Sequence, residues 1–351
     1  MTSPISQPQP RSALQSQIKA HLEGAGVTHF GYAKLKTPAT LDFYSKWIDQ
    51  NFHGDMEYLK RHLDTKATPQ KLFADGVSAI VVAAPYPQLN ESLDKKNKAI
   101  PFEGLKVAAY AQGADYHFWF KEKLEAIVSK LKTEFQDDEF YVATDSSPIL
   151  ERDLAYRAGV GWVGKNTCLI DQKRGSYFLL GEILTSLDLA DDNLLPHPDR
   201  CGTCTRCIEA CPTDALIAPK TLDARLCISY LTIESKSVPS LDLRHKIADL
   251  FFGCDICQNV CPWNEAPIET KLPREVTVRD LKFILSASNR ELSEKLGETA
   301  LARARGFGLK RNALIVAVNL KLKELLEVIE PLQSDERLGE LATWAAESLR
   351  R

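Results

Sequence analysis

The residues of this 351-residue chain with the strongest claim to chemistry are its cysteines. Cys201, Cys204, Cys207 and Cys211 form a C-x-x-C-x-x-C-x-x-x-C run closed by Pro212. Cys254, Cys257 and Cys261 repeat the pattern before Pro262, short of one cysteine of the leading pair. This is the ligand spacing of 4Fe-4S clusters, and where two runs occur together the cysteine before the proline crosses to the neighbouring cluster. The spacing therefore expects Cys201, Cys204, Cys207 and Cys261 on one cluster and Cys211, Cys254 and Cys257 on the other. Cys227, the nearest unassigned thiol, fills the eighth place. A pair of structural zinc sites would need neither the third cysteine of the first run nor the trailing prolines. The ninth thiol, Cys168, has no histidine near it in sequence and reads as a small buried hydrophobe.

Clusters move single electrons and do not by themselves transform a substrate, so the rest of the chain must say what the electrons are for. Its length allows two or three domains, and the formal charge of −3 makes it no polycation. No apolar run approaches a membrane span and the amino terminus lacks the basic-then-apolar pattern of an export signal, which points to the cytoplasm. Residues 1–11, polar and proline-rich, read as disordered. Helices are expected over 12–23, 41–50, 56–62 and 116–132, with strands over 27–32, 79–84, 107–110 and 140–143. The lysine-rich stretch Asp94 to Lys98 reads as a loop. Strands alternating with helices imply an α/β domain over residues 12–194, with α+β as the other arrangement. A two-cluster, ferredoxin-like domain then takes 195–270, and helices fill 271–351.

Two loops could hold a ligand. Gly159-Val-Gly161-Trp-Val-Gly164-Lys165 satisfies G-x-G-x-x-G, but it follows a helical pattern over 150–158 where a dinucleotide site requires a strand. Its glycines read instead as a helix stop and a tight loop. Asp145-Ser-Ser-Pro148 ends the strand at 140–143, where such folds place ligands, although an Asp there is often only a turn former.

A resemblance supplies what these fragments lack. Gly113-Ala-Asp115-Tyr116-His117, Asp145-Ser-Ser-Pro148, Arg157-Ala-Gly-Val-Gly-Trp162-Val-Gly-Lys-Asn166, Gly175-Ser-Tyr177, the two cysteine runs and Arg311-Asn-Ala-Leu314 together closely resemble the epoxyqueuosine reductase family. That family is cobalamin-dependent, is related to reductive dehalogenases and completes queuosine on tRNA. The resemblance implies cobalamin held between the α/β domain and two 4Fe-4S clusters. Electrons from an external low-potential donor of flavodoxin or ferredoxin type would pass through the clusters to give cob(I)alamin. Asp145 would be the proton donor, its pKa raised by desolvation. Cobalamin contacts carried over are Lys66, Ala108, Asp145, Asn166, Leu169, Leu180, Ser229 and Asp255; Lys66 stands where an Arg is more usual. His117 is expected to be structural rather than a cobalt ligand. The helical tail resembles a shortened HEAT-like module.

The stretch 299–323 contains Arg303, Arg305, Lys310, Arg311, Lys321 and Lys323 and no acid. In a chain of negative net charge this is the expected footprint of phosphate contact, and Lys236, Arg244 and Lys246 could extend it. Two other readings compete: a dehalogenase-like cobalamin enzyme with a small substrate, and a ferredoxin-type carrier or RNA-binding iron–sulfur protein without catalysis.

Overall fold

The computed structural model describes residues 9–86, 100–191, 197–264 and 272–351. The first eight residues of the expected disordered tail and the loop Asp94 to Lys98 lie outside them. The organising element is a four-stranded sheet of β1 (Phe30–Lys34), β2 (Ser78–Pro85), β3 (Phe140–Ala143) and β4 (Phe178–Thr185), in the order β1-β2-β4-β3. Every neighbouring pair is antiparallel. This corrects the expectation of an α/β domain in favour of the α+β arrangement. The continuous apolar run of β2 suits a parallel sheet because such sheets are buried on both faces; here helices bury both faces of an antiparallel one.

On one face Ile80, Val82, Leu179 and Ile183 pack under α1 (Arg11–Gly24) and α2 (Tyr116–Glu134), which contribute Ile18, Leu22, Phe120, Leu124 and Ile127. On the other, Ala79, Val81, Phe178 and Leu184 meet Leu154 and Ala155 of α3 (Glu151–Arg157). Gly181 of β4 permits the close approach of α2: a Cβ there would lie 2.8 Å from Leu124 and 2.9 Å from Phe120. Gly159 ends α3 with φ of +72°, and Trp162–Val163 then pairs with Leu169–Ile170 in a short antiparallel ladder. The G-x-G-x-x-G stretch is thus a helix stop and a tight loop, as its helical context implied.

The remainder of the chain builds a separate apolar cluster. It joins residues 100–111, the stretch 224–252 and the carboxy-terminal helices, with Phe251, Phe252, Leu314 and Ile315 fully buried. Its central helix, α4 (Arg305–Asn319), carries Arg311, one of the largest fully buried side chains. No helix among the described residues is long and apolar enough to cross a membrane.

Candidate active site

The site begins at the amino terminus of α2. Asp115 caps this helix, its side chain accepting from the His117 backbone N–H at 3.0 Å. The same carboxylate lies 2.6 Å from His117 Nδ1, so one residue both starts the helix and orients the imidazole. His117 Nε2 points to Asp145, 3.0 Å from Oδ1 and 3.1 Å from Oδ2. Tyr116 donates its hydroxyl to Asp145 Oδ2 at 2.5 Å and stacks on the His117 ring, with centroids 4.2 Å apart. Asp145 itself sits in the turn after β3, where Thr144 and Ser147 bond each other through backbone and hydroxyl.

These contacts reverse one expectation. Burial pushes the Asp145 carboxyl up, but the His117 hydrogen bond and charge, with help from Tyr116, hold it below the ordinary carboxylate value. The resting proton is on His117 instead. Hydrogen bonds to Asp115 and Asp145 outweigh burial and raise the imidazole to about 10. Desolvation alone would have given a protonated Asp145; the spacing of Asp115, Tyr116 and His117 on one helical turn is the signal that could have warned otherwise.

Beneath this triad lies a second set of ionisable groups. Glu182 on β4 is fully buried, and neither of its oxygens has a hydrogen-bond partner. Burial, then the charges of Glu151 and Asp145, push it well above the usual range. Glu151, with one orphaned oxygen, is raised to about 7 by burial and by Asp145. Buried Lys66, 3.4 Å from the Ile149 carbonyl oxygen, is lowered by burial and drawn back up by Glu151. Sequence reasoning missed Glu182, although a lone acid inside the apolar run of β4 is itself a signal.

Of the residues carried over as cobalamin contacts, Leu169 and Leu180 belong to the same apolar layer, on the α3 side of the sheet. Ala108, Asn166 and Asp255 converge elsewhere, on the second cysteine run. Ala108 meets Phe252 through its backbone N–H, Asp255 accepts from the Ala109 N–H at 2.6 Å, and Asn166 donates to the Cys257 carbonyl oxygen at 3.3 Å. Ser229 lies half-buried just after Cys227. Asn166, Ser229 and Asp255 offer polar partners, and Leu169 and Leu180 an apolar surface, of the kinds an amide-bearing corrinoid needs.

The thiols form two groups. A hollow of about 230 Å³ is lined by Cys201, Cys204, Cys207 and Cys261 together with Lys165, Asn166 and Trp263. Burial raises the Cys207 thiol, followed by the influence of Cys201 and Cys261. Cys211, Cys227, Cys254 and Cys257 neighbour one another deeper in the fold. Burial pushes Cys254 up to about 12, with Cys227 and Cys211 adding to it, and Cys227 and Cys254 both act on Cys257. The donor sets fit two clusters with crossed ligands. Cys168 lies beside Cys257 at the edge of the second group, half-buried rather than fully enclosed.

A hollow of about 970 Å³ opens beside Asp115 and His117. Lys236, Arg303 and Arg305 line it, joined by Arg61, Tyr58, Phe307 and Arg337, which sequence reasoning missed because they are scattered over the chain; the acids Asp55, Glu57 and Glu234 line it as well. Arg303 is held by Glu234 at 2.8 Å and lies over Tyr58; Arg337 lies 3.8 Å over the Phe307 ring. An antiparallel bridge between Ala114 and Thr299, with the Asp115 N–H donating to the Glu298 carbonyl oxygen at 2.8 Å, ties this basic rim to the triad.

Arg311 is not on that rim. It is 0% exposed, and its guanidinium donates to the carbonyl oxygens of Leu231, Ser235 and Ser237 and to Asn312. It is a structural tie and is withdrawn from the residues expected to meet phosphate. Arg244 lies over the Trp344 ring at 4.7 Å, and Lys246 faces Asp214 at 3.6 Å; neither lines the hollow. Lys310 is half-buried near Asp335 and Glu291.

Comparison with known proteins agrees with this layout. The family described as "Epoxyqueuosine reductase QueG, DUF1730" matches residues 66–146, and a "4Fe-4S double cluster binding domain" matches residues 200–264. An epoxyqueuosine reductase of Cyclobacterium marinum is 41% identical over 270 residues, covering 76% of this chain and 84% of its own. One from Leadbetterella byssophila is 40% identical over 279 residues, covering 77% and 87%. A crystal structure of epoxyqueuosine reductase with an epoxyqueuosine-modified tRNA-Tyr stem loop superposes with a TM-score of 0.81 at 29% identity, over 97% of this chain and 91% of that one. Identity of this order across three quarters of the chain, spanning the triad and both cysteine runs, leaves one conclusion: the chain belongs to the epoxyqueuosine reductase family.

Proposed function

We propose that this protein reduces epoxyqueuosine to queuosine at the wobble position of tRNA, the last step in making that nucleoside. The observation that carries the reading is a juxtaposition. The proton-holding triad opens into a basic-rimmed hollow on one side, and on the other its Tyr116 packs against Tyr110, whose backbone continues into the Ala109 N–H bonded by Asp255 of the second cysteine run. In this reading residues 12–194 form the cobalamin-binding catalytic domain, 195–270 the two-cluster domain and 271–351 a helical tRNA-binding module. Cys201, Cys204, Cys207 and Cys261 hold one 4Fe-4S cluster, and Cys211, Cys227, Cys254 and Cys257 the other.

Lys66, Ala108, Asn166, Leu169, Leu180, Ser229 and Asp255 would hold cobalamin, which supplies a strongly reducing cobalt centre when bound. Converting an epoxide to an alkene and water takes two electrons and two protons, so the chain must move protons where oxygen departs. His117 Nε2 holds one against the Asp145 carboxylate. Substrate covering the hollow deepens the burial of Asp145, the influence that favours its neutral form, and so draws the proton from Nε2 to an Asp145 oxygen that can pass it on. Tyr116 keeps that oxygen oriented. Lys236, Arg303 and Arg305, with Arg61 and Arg337, face the phosphates, and the extruded base takes the aromatic wall of Tyr58 and Phe307.

The test is incubation of the anaerobically reconstituted, cobalamin-supplied and reduced protein with tRNA carrying epoxyqueuosine, followed by nucleoside analysis. Queuosine is expected; unchanged epoxyqueuosine under conditions that reduce the clusters would falsify the assignment.

A further inference from the structure

Electrons must enter somewhere, and the two thiol groups differ in how they meet solvent. The second group is packed against the large apolar cluster through Cys227 and Cys254, with Cys168 beside Cys257. The first sits in its open hollow, and Gly202, Thr203 and Thr205 of its loop are exposed. Arg200 and Arg206 stand on the rim of that hollow, exposed, and neither has a carboxylate partner among the described residues. Of the neighbouring acids, Asp199 is ion-paired, while Glu209 accepts only a neutral hydroxyl and keeps its charge. Asp199 accepts from Lys220 at 2.6 Å and from the Cys201 N–H, and Glu209 accepts from the Thr205 hydroxyl at 2.5 Å. Lys165 adds a further cation, its ammonium donating to the carbonyl oxygens of Gly202 at 2.7 Å and Cys204 at 3.0 Å. A groove lined by Arg206, Glu209, Asn259 and Asn264 continues past Cys261. This surface shares no lining residue with the hollow beside His117.

We propose that the face around Cys201–Cys207, with Arg200 and Arg206 as its free charges, is the docking surface for an acidic, low-potential one-electron carrier protein. The proposal rests on the reading of the cysteine runs as cluster ligands. In a chain of net charge −3, arginines without carboxylate partners around an exposed redox edge attract an acidic protein and orient its own centre toward that edge. Each docking would take one electron from the carrier for the cluster that Cys201, Cys204, Cys207 and Cys261 would hold, and two successive dockings would supply the pair that the epoxide requires. Lys165 fixes the loop; Arg200 and Arg206 meet the carrier.

The experiment uses the full reconstituted chain, with reduced flavodoxin as the acidic carrier and dithionite as a small reductant, and follows bleaching of the cluster absorbance after rapid mixing. Arg200→Glu/Arg206→Glu should be bleached by flavodoxin about tenfold more slowly or worse at low ionic strength, with dithionite bleaching and tRNA affinity unchanged. Arg200→Lys/Arg206→Lys should retain most of the rate, and the wild-type rate should fall as salt rises. Equal flavodoxin rates in the charge-reversed and wild-type proteins would overturn the docking face while leaving the clusters intact. A loss of tRNA affinity in the reversed variant would reassign the face to RNA. Absence of iron–sulfur absorbance after reconstitution would remove the premise itself.

Discussion

A proton shared between His117 and two carboxylates makes one contribution to how this protein responds to pH, beside that of the buried Glu151 and Glu182. The imidazole is raised from 6.5 to about 10, so its contribution to stability is complete below pH 6.5 and is lost as pH rises through about 10. Asp115 and Asp145 are held below 3.8, so theirs is present above that value and is lost as pH falls through their depressed pKa values. The stability gap between wild type and His117→Asn should therefore be widest between about pH 4 and 6.5. Thermal unfolding across pH measures it, and a gap that stays constant from pH 4 to 10 would dispose of the shared proton. Asp145→Asn should lower single-turnover reduction by about 10²–10⁴-fold while leaving tRNA affinity within about twofold. In the same variant the NMR titration midpoint of His117 should move down. Arg311→Met leaves the two buried carbonyl oxygens of Leu231 and Ser235 short of a donor, with the more exposed one of Ser237, and should destabilise the fold by about 3 kcal/mol, read by denaturant unfolding, with little change in the salt dependence of tRNA binding.

Elements were legible where local pattern decides them. The expected strand 140–143 matches β3, and α2 starts at Tyr116 as its Asp115 cap implies. Helix α1 begins at Arg11, one residue before the expected start. The expected strand at 107–110 shrinks to Lys106–Val107 before a short 3-10 turn, and the one expected at 27–32 starts three residues later and ends two later, at Lys34. Strand β4 was missed although it is central, because Gly181 and Glu182 interrupt its apolar run and hide a doubly buried strand. Strand order and direction are long-range choices that alternation of elements does not encode, hence the antiparallel sheet. Charge pattern misled at Arg311 for a related reason: a run of basic residues on α4 gives no sign of which one turns inward. Gly181→Val should cost about 1–3 kcal/mol, since the new side chain must displace Leu124 and Phe120; unfolding free energy within about 0.5 kcal/mol of wild type would mean the sheet and α2 can separate.

Across the whole molecule, the carboxy-terminal helices share their apolar cluster with residues 100–111 and 224–252, so the basic rim is built on the same core as the elements flanking the second thiol group. Replacing Arg61, Lys236 and Arg305 together with alanine should reduce the slope of log affinity against log salt by about 0.7–0.9 for each phosphate no longer neutralised. An unchanged slope would show that those side chains never meet the backbone of the RNA. The bridge between Ala114 and Thr299 gives this layout a further meaning. It works as a caliper. One jaw is the rim beginning at Arg303, the other is the imidazole of His117, and the single bridge with its Asp115–Glu298 hydrogen bond sets the opening between them. On the proposed function, selection of one nucleotide would come from a fixed span measured along the strand: the base that reaches the proton would be the one whose neighbours are already gripped.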